Sequence, residues 1–378
     1  MPSPAEELRK LRQEGLLRGL QSLDSPAGAR VSRGGREMWN FASNDYLGLA
    51  RHPLVEAALI EGVRRYGAGA AASRLVCGTL PPHRLLENAL AAAKQTEAAL
   101  VFSSGFATAL GVIPAVAGKG DHVLLDKLCH ACLVDAARLS GATIRVFPHN
   151  DLGKLRRLLS SIRAKHPHAR ILVATESVFS MDGDLCPLRE IVDLTEQHDA
   201  LLLLDEAHGF GVLGGHGMGL AEREGLQRRV TFQMGTLSKA AGLSGGYLAA
   251  SREWIDLLVN RARSFIYSTA PPPALAHAAI ASLELIRSDQ GRALREKLRE
   301  NTALIADSPT PILPRVLGAN EAALAASAAL ADAGFIVPAI RFPTVPRGTA
   351  RLRISLSADH PPDAVRALKE VLHAAVPA

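Results

Sequence analysis

The sequence predicts an α/β protein: a mostly parallel central sheet with helices on both faces, followed by a smaller α+β C-terminal domain. Two observations carry this expectation. From about residue 98 to 250, short apolar runs alternate with helical patterns, as in repeated strand–helix crossovers. Runs such as Leu201-Leu202-Leu203-Leu204 also lack polar alternation, as expected of strands covered on both faces.

The elements follow in order. Residues 5–22 place Leu8, Leu11, Leu16, Leu17 and Leu20 among Arg and Glu, which predicts an amphipathic helix within an N-terminal arm over 1–40. A large domain is expected over 41–275, with strands at 99–102, 122–126, 143–147, 170–175, 200–205 and 231–234. The uncharged stretch 98–118 is long enough to cross a bilayer. Ser103-Ser104-Gly105 and Pro114 interrupt it, so it reads as a strand, a turn and a buried helix, and no membrane association is expected. Pro271-Pro272-Pro273 punctuates the chain. Helical stretches at 274–286, 292–306 and 321–333 and a strand at 351–356 then predict a small domain over 276–378. No repeat period is visible.

Composition narrows the function. The 378 residues are 48% hydrophobic and 21% charged, which excludes a disordered chain, a collagen or a disulfide miniprotein. The 43 basic and 37 acidic residues leave a net charge of +6, but the arginines are scattered rather than run together. Aromatic residues are only 4%, too few for stacking platforms, so nucleic acid is not an expected partner. Cys77, Cys129, Cys132 and Cys186, with no signal-peptide pattern ahead of them, predict a reducing, cytoplasmic setting.

In open parallel sheets ligands sit beyond the carboxyl ends of the strands. Three polar groups follow apolar runs: Glu176-Ser177, Asp205-Glu206-Ala207-His208, and Gly235-Thr236-Leu237-Ser238-Lys239. Singly, Asp205 reads as a helix cap, His208 as a core histidine and Lys239 as a solvated cation. Together they direct a carboxylate, an imidazole and an amine to one sheet edge. Ser103-Ser104-Gly105-Phe106 opens a helix after a strand, so it is either a plain cap or a phosphate site built on free N–H groups. A ligand that needs phosphate, carboxylate, imidazole and amine partners together is pyridoxal 5′-phosphate. The glycines at 209–219 and at Gly67 and Gly69 match neither a dinucleotide fingerprint nor a Walker A loop, and read as backbone close to a ligand or a subunit boundary. Cys129-His130-Ala131-Cys132 lacks the second ligand pair of a structural zinc site, so no metal is expected. His130 also follows a strand and points to the same edge.

These residues resemble the α-oxoamine synthases, the fold-type I pyridoxal phosphate-dependent transferases that join an amino acid to an acyl thioester with loss of carbon dioxide. The resemblance runs from about residue 40 to 360 through SNDYLGL at 43–49, SSGFATAL at 103–110, ESVFSMDGDLCPL at 176–188, DEAHGFGVLGGHGMG at 205–219, GTLSKAAGLSGGY at 235–247, FIYSTAPPP at 265–273 and PTVPRGTARLRISLSADH at 343–360. It implies that Lys239 holds the cofactor aldehyde and removes the Cα proton, and that Asp205 pairs with the ring nitrogen. His208 and Ser180 would bond the phenolic oxygen while His130 stacks on the ring. Gly105, Phe106, Thr236 and Ser238 would hold cofactor and phosphate, with Thr269 reaching the phosphate of a partner subunit in a homodimer. Arg353 and Asn44 would bind the substrate carboxylate, and Arg18 the far carboxylate of a pimeloyl chain. The short length and TVPRGTARLR look most like the branch that uses L-alanine and a pimeloyl thioester, on coenzyme A or an acyl carrier protein. Glycine C-acetyltransferase, 5-aminolevulinate synthase and serine palmitoyltransferase are the sibling alternatives. The chain departs from the family at Cys129 and Cys132, where Asn and Ser are common, and in its alanine-rich loop at 67–73.

Overall fold

The computed structural model describes residues 3–375. They form two compact units. The larger comprises Leu49–Ser180 and Asp184–Arg295; the smaller takes in the chain up to Gly48, the segment Met181–Gly183 and the chain from Glu296 onward.

In the larger unit seven strands make one sheet, in the order Ala98–Phe102, Gly246–Ala250, Phe232–Thr236, Leu201–Asp205, Ile171–Glu176, His122–Asp126, Thr143–Phe147. The last five pair in parallel, and Gly246–Ala250 runs antiparallel to both its neighbours. Every residue of Ala98–Phe102, His122–Asp126 and Ile171–Glu176 is buried, which is why these strands carry no polar alternation. Thr143–Phe147 is an edge strand and exposes Thr143, Arg145 and Val146. Gly246–Ala250 was not foreseen. It has two alanines and no β-branched residue, and its place between two strands supplies what propensity does not. Helices Gly105–Val116 and Ala131–Ser140 contribute Val112, Ile113, Leu133 and Ala136 to one core with Leu100, Leu125, Leu172 and Leu203. The uncharged stretch is therefore a strand and a buried helix, and no helix among the described residues is long and apolar enough to cross a membrane.

The domain limits differ from the sequence expectation. Helix Pro273–Arg287 packs on helices Pro53–Tyr66 and Pro81–Lys94 and belongs to the larger unit, so the boundary expected at 275 falls at Arg295. The proline triplet starts this helix rather than separating domains. Gly62 allows the crossing, because a Cβ there would stand 2.8 Å from the Ala274 Cα. The segment up to Gly48 is not a separate arm but part of the smaller unit. Its helix covers Pro4–Gln13, not 5–22. It opens on a Ser3–Glu6 capping box and ends before Gly15, whose φ of +63° leaves the helical region. Leu16 is buried, whereas Leu8, Leu11 and Leu20 stay exposed.

The smaller unit holds two three-stranded sheets. One is Arg30–Arg33, Arg36–Asn40 and Phe335–Ile336; the other is Ile312–Gly318, Ala350–Ser355 and Ala339–Ile340, with Ala350–Ser355 central and buried throughout. Helices Asn320–Asp332 and Pro362–Ala375 complete it.

In the larger unit one polar cluster fixes the loops beyond strand His122–Asp126. His149 bonds Asp126 through Nδ1 at 3.1 Å and Asp184 through Nε2 at 2.7 Å, and Asp126 also accepts from the Leu128 and Asn150 N–H groups. Burial disfavours the imidazolium, but the bonds to Asp126 and Asp184 outweigh it and push its pKa up to about 10. Because the folded value lies above that of the unfolded chain, the cation's stabilisation is complete below about pH 6.5 and is lost as pH rises toward 10. His149→Ala is expected to cost about 2 kcal/mol at pH 6 and to flatten the decline in stability between pH 7 and 10, as read from urea denaturation across that range.

Candidate active site

The parallel strands deliver their last residues to one buried edge. Leu201–Asp205 ends on Asp205, only 4% exposed, and its neighbour Ile171–Glu176 ends in register on Glu176, only 3% exposed. Phe232–Thr236 leads into Ser238 and Lys239, and Lys239 Nζ lies 2.8 Å from His208 Nε2. The amine, the imidazole and the two carboxylates expected at strand ends are therefore brought together. Burial raises the pKa of Asp205, with Lys239 opposing the shift. Glu176 is pushed up to about 8, first by burial and then by the charge of Asp205.

His130 caps helix Ala131–Ser140. Its Nδ1 accepts from the Cys132 N–H at 3.2 Å, which leaves Nε2 to carry the proton of the neutral ring. Burial lowers its pKa, which favours the neutral ring. Its backbone N–H donates to Glu176 Oε1 at 2.5 Å, and the Ser180 N–H donates to Oε2 at 3.3 Å. One carboxyl group thus holds two loops, each bearing an expected site residue. The thiols beside His130 are pushed away from ionisation, first by burial and then by Glu176 and Asp205. Cys129 donates to the Ala174 carbonyl. These are packed, inert thiols rather than nucleophiles.

At the start of helix Gly105–Val116, Ser104 accepts from the Ala107 N–H at 3.0 Å. The Gly105 and Phe106 N–H groups have no acceptor among the described residues. The Thr236 hydroxyl donates to the Gly245 carbonyl and bonds Ser238 Oγ at 2.7 Å. A Cβ at Gly105 would meet Thr236 at 3.5 Å, and one at Gly246 would overlap the Ser104 carbonyl. Only glycine at 246 lets that strand lie against the helix entrance. Thr269 is exposed elsewhere in the unit, bridged to Ser73, and makes no bond to this cluster.

Two of the glycines at 209–219 have a cause within the chain itself. A Cβ at Gly209 or Gly219 would strike the Glu206 carboxylate, which accepts from the Leu220 and Ala221 N–H groups. The loop closes on a buried side chain.

In the smaller unit, Arg353 is only 4% exposed and donates to Asn44 Oδ1 at 3.1 Å, Ser355 Oγ at 2.7 Å and the Tyr46 hydroxyl at 3.4 Å. The expected Arg353–Asn44 pair is formed. Arg351, two residues away, is neutralised by Asp182 at 2.6 Å. Arg18 is exposed and donates to Thr344 Oγ1 at 3.2 Å.

Residues 36–372 match the family model of aminotransferase class I and II. The 8-amino-7-oxononanoate synthase of Geobacter sulfurreducens is 48% identical over 95% of this chain and 94% of its own. This chain belongs to the 8-amino-7-oxononanoate synthase family. Among solved structures, a serine palmitoyltransferase from S. paucimobilis with bound PLP superposes with a TM-score of 0.92 at 29% identity, over 98% of this chain and 95% of that one. The 8-amino-7-oxononanoate synthase of Francisella tularensis gives 0.76 at 25%, over 90% and 98%.

The donor set fits pyridoxal 5′-phosphate: Lys239 for the aldehyde, Asp205 for the ring nitrogen, and helix N–H groups with hydroxyls for the phosphate. Sequence reasoning missed the roles of Glu176, Glu206 and Tyr46. Glu176 carried a signal, since it ends an apolar run beside Asp205, but its backbone partners come from distant loops. Glu176→Ala strands two backbone N–H groups, at an expected cost of about 2 kcal/mol or more. Amide exchange at His130 and Ser180 should accelerate; unchanged exchange would show that this carboxyl group does not hold the two loops.

Proposed function

We propose that this chain is a pyridoxal 5′-phosphate-dependent acyltransferase of biotin biosynthesis. It condenses L-alanine with a pimeloyl thioester, giving 8-amino-7-oxononanoate, carbon dioxide and the free thiol carrier. The Lys239–His208 contact beside buried Asp205 carries the reading, and the name of the nearly full-length relatives supports it.

The bound cofactor supplies an electron sink for charge left at the amino acid Cα. Asp205 would hold its ring nitrogen protonated, Ser180 and His208 would bond its phenolic oxygen, and His130 would stack on the ring. Gly105, Phe106, Thr236 and Ser238 would hold the phosphate, and Thr269 would be supplied across a homodimer interface. Lys239 takes the Cα proton at Nζ, and its contact with His208 keeps the amine near that position. Arg353 and Asn44 grip the alanine carboxylate, which decides the Cα bond that breaks. Arg18 meets the far carboxylate of the acyl chain. The carrier is coenzyme A or an acyl carrier protein, and four unpaired cysteines fit a reducing cytoplasm.

The high TM-score to a serine palmitoyltransferase gives a second reading, in which L-serine and a long acyl thioester are the substrates. Product analysis with L-alanine, glycine and L-serine, each offered with pimeloyl- and palmitoyl-coenzyme A, separates the two. The proposed function requires L-alanine with the pimeloyl thioester to be the preferred pair. Lys239→Ala should lower condensation by about a thousandfold or more, measured as product formed; turnover within tenfold of the parent would refute its role as the base.

A further inference from the structure

Two arginines in the smaller unit are tied to each other's segments. Arg341 Nη1 donates to the Gly15 carbonyl, three residues before Arg18, while Arg18 Nη2 donates to Thr344 Oγ1, three residues after Arg341. These reciprocal bonds bring the two guanidinium groups near enough for the charge of Arg18 to act on Arg341. Other cations nearby have an acid: Arg347 lies 3.7 Å and Lys10 4.0 Å from Glu14. Among the described residues neither Arg18 nor Arg341 forms an ion pair. Arg341 is half-buried, and burial followed by the charge of Arg18 works against its protonated form. Like charges held together without a counter-ion repel, so the arrangement is suited to an anion that both can reach.

We propose that Arg341 and Arg18 form a two-arginine site for the free carboxylate at the far end of the acyl substrate, with Arg341 as a specificity-determining residue. This rests on the pimeloyl reading above. A carboxylate offers two oxygens, and each guanidinium offers a planar fork of donors. A single exposed arginine–carboxylate pair discriminates weakly. Two convergent arginines also reject an uncharged chain end, because binding it would leave their repulsion unrelieved.

Pimeloyl- and heptanoyl-coenzyme A have equal chain lengths and differ only in a terminal carboxylate or methyl group. The parent should prefer pimeloyl-coenzyme A in kcat/KM, and Arg341→Met should reduce that preference roughly ten- to a hundredfold, the worth of a charge-assisted bond. Arg341→Lys, which keeps the charge but not the fork, should fall between and carries the same test if the Met variant melts early. Calorimetry with pimelate should show binding to the parent that weakens in both variants. A preference unchanged in Arg341→Met overturns the inference and leaves the proposed function standing. Equal losses with both thioesters also overturn it and assign the arginines to the carrier's phosphates. A parent without preference for pimeloyl-coenzyme A sinks the proposed function and this site with it.

Discussion

Two carboxyl groups, Asp205 and Glu176, end adjacent parallel strands in register, and both are buried. That juxtaposition is the constraint around which the larger unit is arranged. Two negative charges so close in a poorly solvated place cannot both persist without help. Lys239 provides a nearby cation, the Ala207 N–H bonds Asp205, and Glu176 receives two backbone N–H groups from the His130 and Ser180 loops. The same bonds that make Glu176 tolerable fix the backbone of the His130 and Ser180 loops. Stabilising the buried acid and building the site are one arrangement.

The principle recurs one residue further on. Glu206, fully buried, binds the first N–H groups of the short helix Leu220–Arg223, and Lys94, equally buried, donates to the Met218 carbonyl at 2.6 Å. Burial lowers the Lys94 pKa, with Glu206 and Glu222 opposing the shift. Glycine at 209 and 219 follows because the carboxylate occupies the space of a Cβ. In the smaller unit a central strand carries two arginines with different fates: Arg351 is bound to Asp182, while Arg353 is set among the oxygens of Asn44, Ser355 and Tyr46.

Much of this was legible without coordinates. The unalternating apolar runs located six of the seven strands, because a strand buried on both faces has no wet face to record. Polar residues after those runs located Asp205, His208, Lys239 and Glu176, because a parallel sheet sends every such strand end to one edge. The Arg353–Asn44 pair was legible only through family resemblance; nothing in the spacing of residues 44 and 353 implies a contact.

The sequence by itself thus determined the fold class and the sheet edge at which Asp205, Glu176, His208 and Lys239 gather, since those depend on local pattern and on a rule that holds for any parallel sheet. Tertiary structure decided the rest. It moved the domain boundary into helix Asp289–Ile305, shortened the N-terminal helix at Gly15, gave Glu176 two loops to hold, and set Arg341 beside Arg18. Each depends on groups far apart in the chain, and periodicity or spacing along one strand of sequence carries no information about which distant N–H or carbonyl will meet a given side chain.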